Sequence, residues 1–207
     1  MAGCPRVSRE SMRRQMNSIS SAHEDHRTNE HLAPVFELIL PELECAGIDY
    51  WVYGGIGVAA CAGEFMRNNG DVDIFIREAG FDRVRALLLN ICGRARFEVK
   101  YKRLRSNRRP KLEVIEGREI LSVVPVYVKD NMVEFRFSGG TVEYPRQMLR
   151  RVERRISNYR FFTPPDEYIA RLFKTYLAKR PRVKARDKVR IDAKAILAPG
   201  EFQELMG

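Results

Sequence analysis

Apolar positions in this chain change period several times, and their order predicts the elements. Leu32, Val35, Phe36, Leu38, Ile39, Leu40 and Leu43 fit one helical face, which Gly47 closes. Residues 48–52 read as a short apolar strand running directly into Gly54, Gly55 and Gly57, with an alanine-rich helix over 58–66. Asn68, Asn69 and Gly70 make a polar turn before a second strand at 71–76, and a helix follows over 81–90. Four strands are then predicted at 97–104, 111–115, 120–128 and 132–137, with turns at 107–110 and Asp130-Asn131. Residues 141–144, after Gly139-Gly140, add an edge strand. Pro145 fits the first turn of a helix, and further helices are expected over 166–179 and 184–197, before Pro199-Gly200. The pattern predicts an α+β fold with a mixed β-sheet. It divides the chain into an arm (1–28), a core (29–144) and a basic, helical C-terminal region (145–207).

Composition narrows the setting. The 207 residues are 44% hydrophobic and 31% charged, which suits a packed globular chain. No apolar run approaches the roughly 18 residues of a membrane span, and the start has no signal-peptide core. Cys4, Cys45, Cys61 and Cys92 lack paired spacing, so free thiols in a reducing cytoplasm are expected. His23, His26 and His31 lie in a polar stretch without a cysteine partner, a poor zinc site. The net charge is +10 and unevenly placed. Residues 94–111 hold nine Lys/Arg against one acid, and 146–190 hold fifteen against four, leaving the remainder net acidic. Such stretches could attract a polyanion or be a solvated surface.

The candidate chemistry centres on Asp71 and Asp73. Residues two apart on a strand share a face, so both carboxylates project together while Val72 and Ile74 face the core. Like charges this close call for a cation, and hard oxygen ligands suit Mg2+. Upstream, a strand entering Gly54-Gly55 and a helix can present backbone N–H groups to an anion; as a bare pair it could equally be a tight turn.

The order strand, Gly-Gly, helix, strand, Asp-x-Asp, with sixteen residues from Gly55 to Asp71, resembles the nucleotidyltransferase superfamily of the polymerase-β-like minimal fold. The aminoglycoside and lincosamide nucleotidyltransferases and the abortive-infection toxin-type enzymes are the most similar groups. Arg67 falls where toxin-like members place an arginine, while Asn69 stands where they more often have Ser or Thr. The resemblance implies a third carboxylate. Glu113, in a Lys-x-Glu strand, is favoured over Glu134, although Glu replaces the more usual Asp. It also implies a lysine at the triphosphate, for which Lys174, in the helix after Pro164-Pro165, is the candidate. Asp187 and Asp192 depart from the family's spacing and receive no role.

The resemblance thus implies transfer of a nucleoside monophosphate from an NTP, with release of pyrophosphate. Gly54, Gly55, Arg67 and Lys174 would bind the nucleotide, and Asp71, Asp73 and Glu113 would be the catalytic and metal-binding carboxylates. Because cationic aminoglycosides favour acidic walls, the basic stretches point to an RNA acceptor such as the 3′ end of tRNA, with an antitoxin as a further partner. The alternatives are a small, antibiotic-type acceptor and a non-catalytic RNA-binding module that retains the fold.

Overall fold

Alternation along the strands sorts their side chains onto two faces, and each face is covered by a different set of helices. The computed structural model describes residues 29–95, 97–104, 109–137 and 140–206. The arm 1–28, with Cys4, His23 and His26, lies outside the described residues, as does the first half of the turn expected at 107–110. Seven strands form one mixed sheet. β1 (Tyr50–Tyr53) runs antiparallel to β2 (Val72–Arg77), and β2 runs parallel to β5 (Arg118–Lys129). β4 (Arg109–Glu116) and β3 (Glu98–Leu104) complete that side as antiparallel neighbours. The far end of β5 pairs with β6 (Met132–Phe137), which pairs with β7 (Gly140–Pro145).

On one face Val52, Val72, Ile74, Leu112 and Val123 pack beneath α1 (Leu40–Cys45), the π-helical turn before it, and α3 (Phe81–Arg94). On the other face Trp51, Phe75, Val124 and Phe135 meet Tyr168 and Leu172 of α4 (Asp166–Lys179). α2 (Gly54–Ala62) is apolar nearly all round, as a helix wedged between both layers must be. It sends Ile56, Ala59 and Ala60 into the first layer and Val58 toward α5 (Asp187–Ile196) and α6 (Pro199–Met206).

Three expectations are corrected. The helix expected from Pro145 is a single 3-10 turn, Arg146–Leu149, followed by a hairpin of β8 (Val152–Ile156) and β9 (Tyr159–Thr163). Residues 157–158 form its two-residue turn, with Ser157 at φ 51°, and Tyr159 stacks on Phe36 at 4.6 Å. The helix expected over 184–197 is not the last: Pro199 opens α6, since its fixed φ and missing N–H suit a first helical turn. Cys61 and Cys92 are free thiols as expected, but Cys45, on the exposed end of α1, is disulfide-bonded. No helix among the described residues is long and apolar enough to cross a membrane.

Part of the C-terminal positive charge is used in internal ion pairs. Arg151 binds Asp49 at 3.0 Å and stacks on Phe162 at 3.7 Å, and Arg160 bridges Glu44 and Glu153. Arg154 pairs with Asp166.

Candidate active site

β1 ends at Tyr53 and the chain turns at once into α2. Gly54 makes that turn with φ 65°, and a Cβ there would lie 2.5 Å from Asp73 Oδ2. A side chain would be both strained and in collision with the carboxylate. At Gly55 a Cβ would run into the Arg67 guanidinium and Asn69 Oδ1. Tyr53 provides no side-chain cap, so the first-turn N–H groups of α2 and the positive end of its dipole are left for a ligand.

Register places the carboxylates. Tyr53, Asp73, Ser122 and Glu113 lie opposite one another across β1, β2, β5 and β4, and therefore on one face of the sheet. Asp71, just before β2, joins Asp73 on the floor of an open cleft of about 380 Å3. Burial and the neighbouring Asp71 charge raise the Asp73 pKa, against the lowering effects of Lys111 and the Ser122 hydroxyl bond. Burial likewise raises Asp71, opposed by Lys111, Lys188 and Arg67. Two carboxylates that resist ionisation side by side, and face a cleft, are chemically fitted to hold a divalent cation.

Glu113 stands on the same row but two strands away from Asp73, about 10 Å at ordinary strand spacing. It is 4% exposed, and its two oxygens are held by Lys102 Nζ at 2.5 Å and Lys111 Nζ at 3.0 Å. Burial would raise its pKa, but these two lysines outweigh that and lower it. A register shift in the β4–β5 ladder sets Glu119 opposite Ile115, and Lys111 also binds Glu119 Oε1 at 2.7 Å. Among the described residues, no group of three or more acidic, His or Cys side chains is arranged as a metal site. Glu134, the other candidate, pairs with Arg136 on the strand face opposite to Phe135, which lines the cleft.

The remaining expected residues divide. Gly54, Gly55 and Arg67 all line the cleft. Arg67 is gripped by Asp192 of α5 through Nε–Oδ1 (2.8 Å) and Nη2–Oδ2 (2.6 Å), a bidentate pair that sequence spacing did not anticipate. Burial raises the pKa of Asp192, and Arg67 opposes the shift. Lys174 is not brought to the cleft; it binds Glu201 of α6 at 2.5 Å. Ile169, Leu172, Phe173 and Tyr176 form the α4 face that lines the cleft, Arg180 lines it just past the end of α4, and Lys188 lines it from α5. Neither Lys188 nor Lys111 received a site role from the sequence, although Lys111, the lysine of the Lys-x-Glu strand, lies two residues from Glu113 and therefore shares its face.

Residues 67–70 are fixed from the N-terminal side. Asn29 donates to Arg67 O at 3.2 Å and accepts from Asn69 N at 2.7 Å, and His31 Nε2 contacts Asn69 O at 2.9 Å. Asn69 lines the cleft and is 2% exposed, yet its buried Oδ1 has no protein partner. A buried acceptor of this kind costs about 1–3 kcal/mol unless a donor from water or a ligand reaches it.

Fold and site together define a nucleotidyltransferase. Over 86% of this chain and 95% of that one, the fold matches ANT(2″)-Ia in complex with adenylyl-2″-tobramycin (TM-score 0.59, 17% identity). It also matches the lincosamide adenylyltransferase LnuA with lincomycin bound, over 83% and 98% of the two chains (TM-score 0.55, 18% identity). An antigenic nucleotidyltransferase-like protein from Paracoccidioides brasiliensis matches over 86% of each chain (TM-score 0.51, 16% identity). The model of the aminoglycoside-2″-adenylyltransferase family matches residues 35–151, more than half of the chain, and the chain belongs to that family. No curated protein matches it in sequence.

Proposed function

We propose that this enzyme transfers a nucleoside monophosphate from an NTP to a hydroxyl group of a small molecule. The observation carrying this reading is the cleft of about 380 Å3 with Asp71 and Asp73 on its floor, a volume in the range of small-molecule sites. Family membership, and fold neighbours whose names carry lincomycin and tobramycin, support the small-molecule alternative better than RNA. The basic stretch that suggested RNA is partly spent on internal ion pairs, those of Arg151, Arg154 and Arg160 among them.

Asp71 and Asp73 would hold Mg2+, which would supply charge neutralisation at the α-phosphate. The first-turn N–H groups at Gly54 and Gly55 cradle phosphate oxygens, and Lys188 and Arg180 take the place first given to Lys174. The acceptor oxygen forms a bond to the α-phosphorus as the bond to the bridging oxygen of the β-phosphate breaks. Pyrophosphate leaves with that electron pair, and the hydroxyl proton passes to water at the open mouth. Glu113 serves here as the anchor of Lys111 rather than as a metal ligand.

The test is incubation with each α-labelled NTP and Mg2+, offering total tRNA and a panel of hydroxylated small molecules in parallel. Label is expected on a small molecule, and lost in Asp73→Ala. Label on tRNA instead would overturn the reading in favour of the RNA acceptor.

A further inference from the structure

One position beside Asp73 decides how much of a cation's shell this protein can supply. β5 runs parallel to β2 and sets Ser122 opposite Asp73, on the same face and in the lining of the same cleft. Ser122 is 2% exposed, and its hydroxyl donates to the Asp73 carboxylate. Paired strands lie about 4.8 Å apart, so a side chain at 122 is near enough to share an ion with Asp73. A hydroxyl there brings no charge.

The other acids nearby are engaged. Among the described residues, Asp71, Asp73 and Asp192 are the acids that line the cleft, and Asp192 has both oxygens on Arg67. Glu113 stands opposite Ser122 on its other side, but Lys102 and Lys111 hold its oxygens, and Lys111 also holds Glu119. An ion at the aspartate pair therefore finds two carboxylates and one neutral hydroxyl. Ligand charge tunes how tightly a divalent cation is held, and Mg2+ on one or two carboxylates takes substrate phosphates to complete its shell.

We propose that Ser122 makes cation binding depend on the nucleotide: its hydroxyl positions the Asp73 carboxylate, and its neutrality leaves the triphosphate to complete the shell. This rests on the reading above, in which Asp71 and Asp73 bind the cation and the cleft takes an NTP. The consequence is an order of events. Alone, the cleft floor holds a divalent cation weakly, and cation and NTP enter together.

Mn2+ binding to the full-length enzyme, followed by electron paramagnetic resonance, tests this. Without nucleotide, Ser122→Asp should bind Mn2+ at least roughly tenfold more tightly than wild type. Adding Asp73→Ala should abolish that gain, because the new carboxylate works only beside the old one. The positioning role is read from affinity for a non-hydrolysable NTP, with and without Mn2+. Wild type should bind the nucleotide at least roughly tenfold more tightly with Mn2+. Ser122→Ala should lose roughly threefold to tenfold of that enhancement, and Ser122→Thr, which keeps a hydroxyl, should retain it. A serine with only a packing role would leave the enhancement intact in the alanine variant. That outcome would refute the proposal even if Ser122→Asp failed to fold. So would a folded Ser122→Asp that binds Mn2+ no more tightly than wild type, or a wild type whose nucleotide affinity ignores Mn2+. Wild type that binds no nucleotide under any of these conditions would instead sink the proposed function.

Discussion

Asp73 and Glu113 sit on the same row of one sheet face, with only Ser122 between them, yet their electrostatic situations are opposite. Glu113 is deeply buried and already neutralised by Lys102 and Lys111, so its pKa is lowered. Asp73 has Asp71 for a neighbour, and burial and that neighbour raise its pKa. The contrast separates a carboxylate already paired within the fold from one that, in the proposed function, would take a cation. A cation would relieve the aspartate pair, but at Glu113 it would have to displace two ammonium groups.

The largest effect that could break this contrast is expected from Asp73→Ala, which should lower nucleotidyl transfer by about a thousandfold or more. Calorimetry should show loss of Mg2+-dependent nucleotide binding in the same variant. Gly54→Ala comes next: the side chain would need a positive φ and meet Asp73 Oδ2. Activity should fall by roughly a hundredfold, with stability lowered by about 1–2 kcal/mol in urea unfolding.

Lys188→Ala should raise the KM for NTP roughly tenfold, while Lys174→Ala changes it by less than about twofold. The reverse order would restore the residue suggested by the sequence. Smaller still, Glu113→Gln should lower kcat by less than about tenfold, since it leaves two lysines without their shared anion but spares the aspartates. A thousandfold loss there would make Glu113 a catalytic carboxylate and erase the contrast.

Titration sharpens it further. The lowered Glu113 pKa contributes stability above the ordinary carboxylate range that is lost as pH falls through its folded value. The raised Asp73 pKa acts oppositely, since the folded state binds the proton more tightly. Stability therefore declines as pH rises from the ordinary carboxylate range toward neutrality. In chelator, Asp73→Asn should be more stable than wild type by about 1 kcal/mol at pH 8, with no gain at pH 5. Added Mg2+ should narrow the gap by stabilising only the wild type.

The part of the site built from local sequence was legible. The run from β1 through α2 to β2 needs only strand alternation, glycine and a polar turn to be placed. What escaped depends on contacts between remote segments. Arg67 and Asp192 are 125 positions apart, and no spacing rule links them. Glu119 joins the Lys111 cluster through a register shift that strand alternation does not reveal. Lys174 was chosen for its place after a proline-led helix start, but the apolar stripe of Ile169, Phe173 and Tyr176 already set the cleft side of α4 and left it off that face. In β8, Glu153 and Arg155 alternated outward around Arg154 as a strand requires, but the fixed φ of Pro145 suggested a helix.

The Arg67–Asp192 clasp also bears on how the molecule comes into being. During synthesis the sheet and its aspartates can emerge and pair well before α5 exists, because the strands come from the first three quarters of the chain. Closing a contact across 125 positions carries a loop-entropy cost that is repaid only when the last helices dock on α2. The wall that holds Arg67 in place is thus among the last parts of the cleft to be assembled. A nascent chain would hold Asp71 and Asp73 without the wall that Arg67 and Asp192 complete, so completion of the C-terminal helices is the step that encloses the cleft.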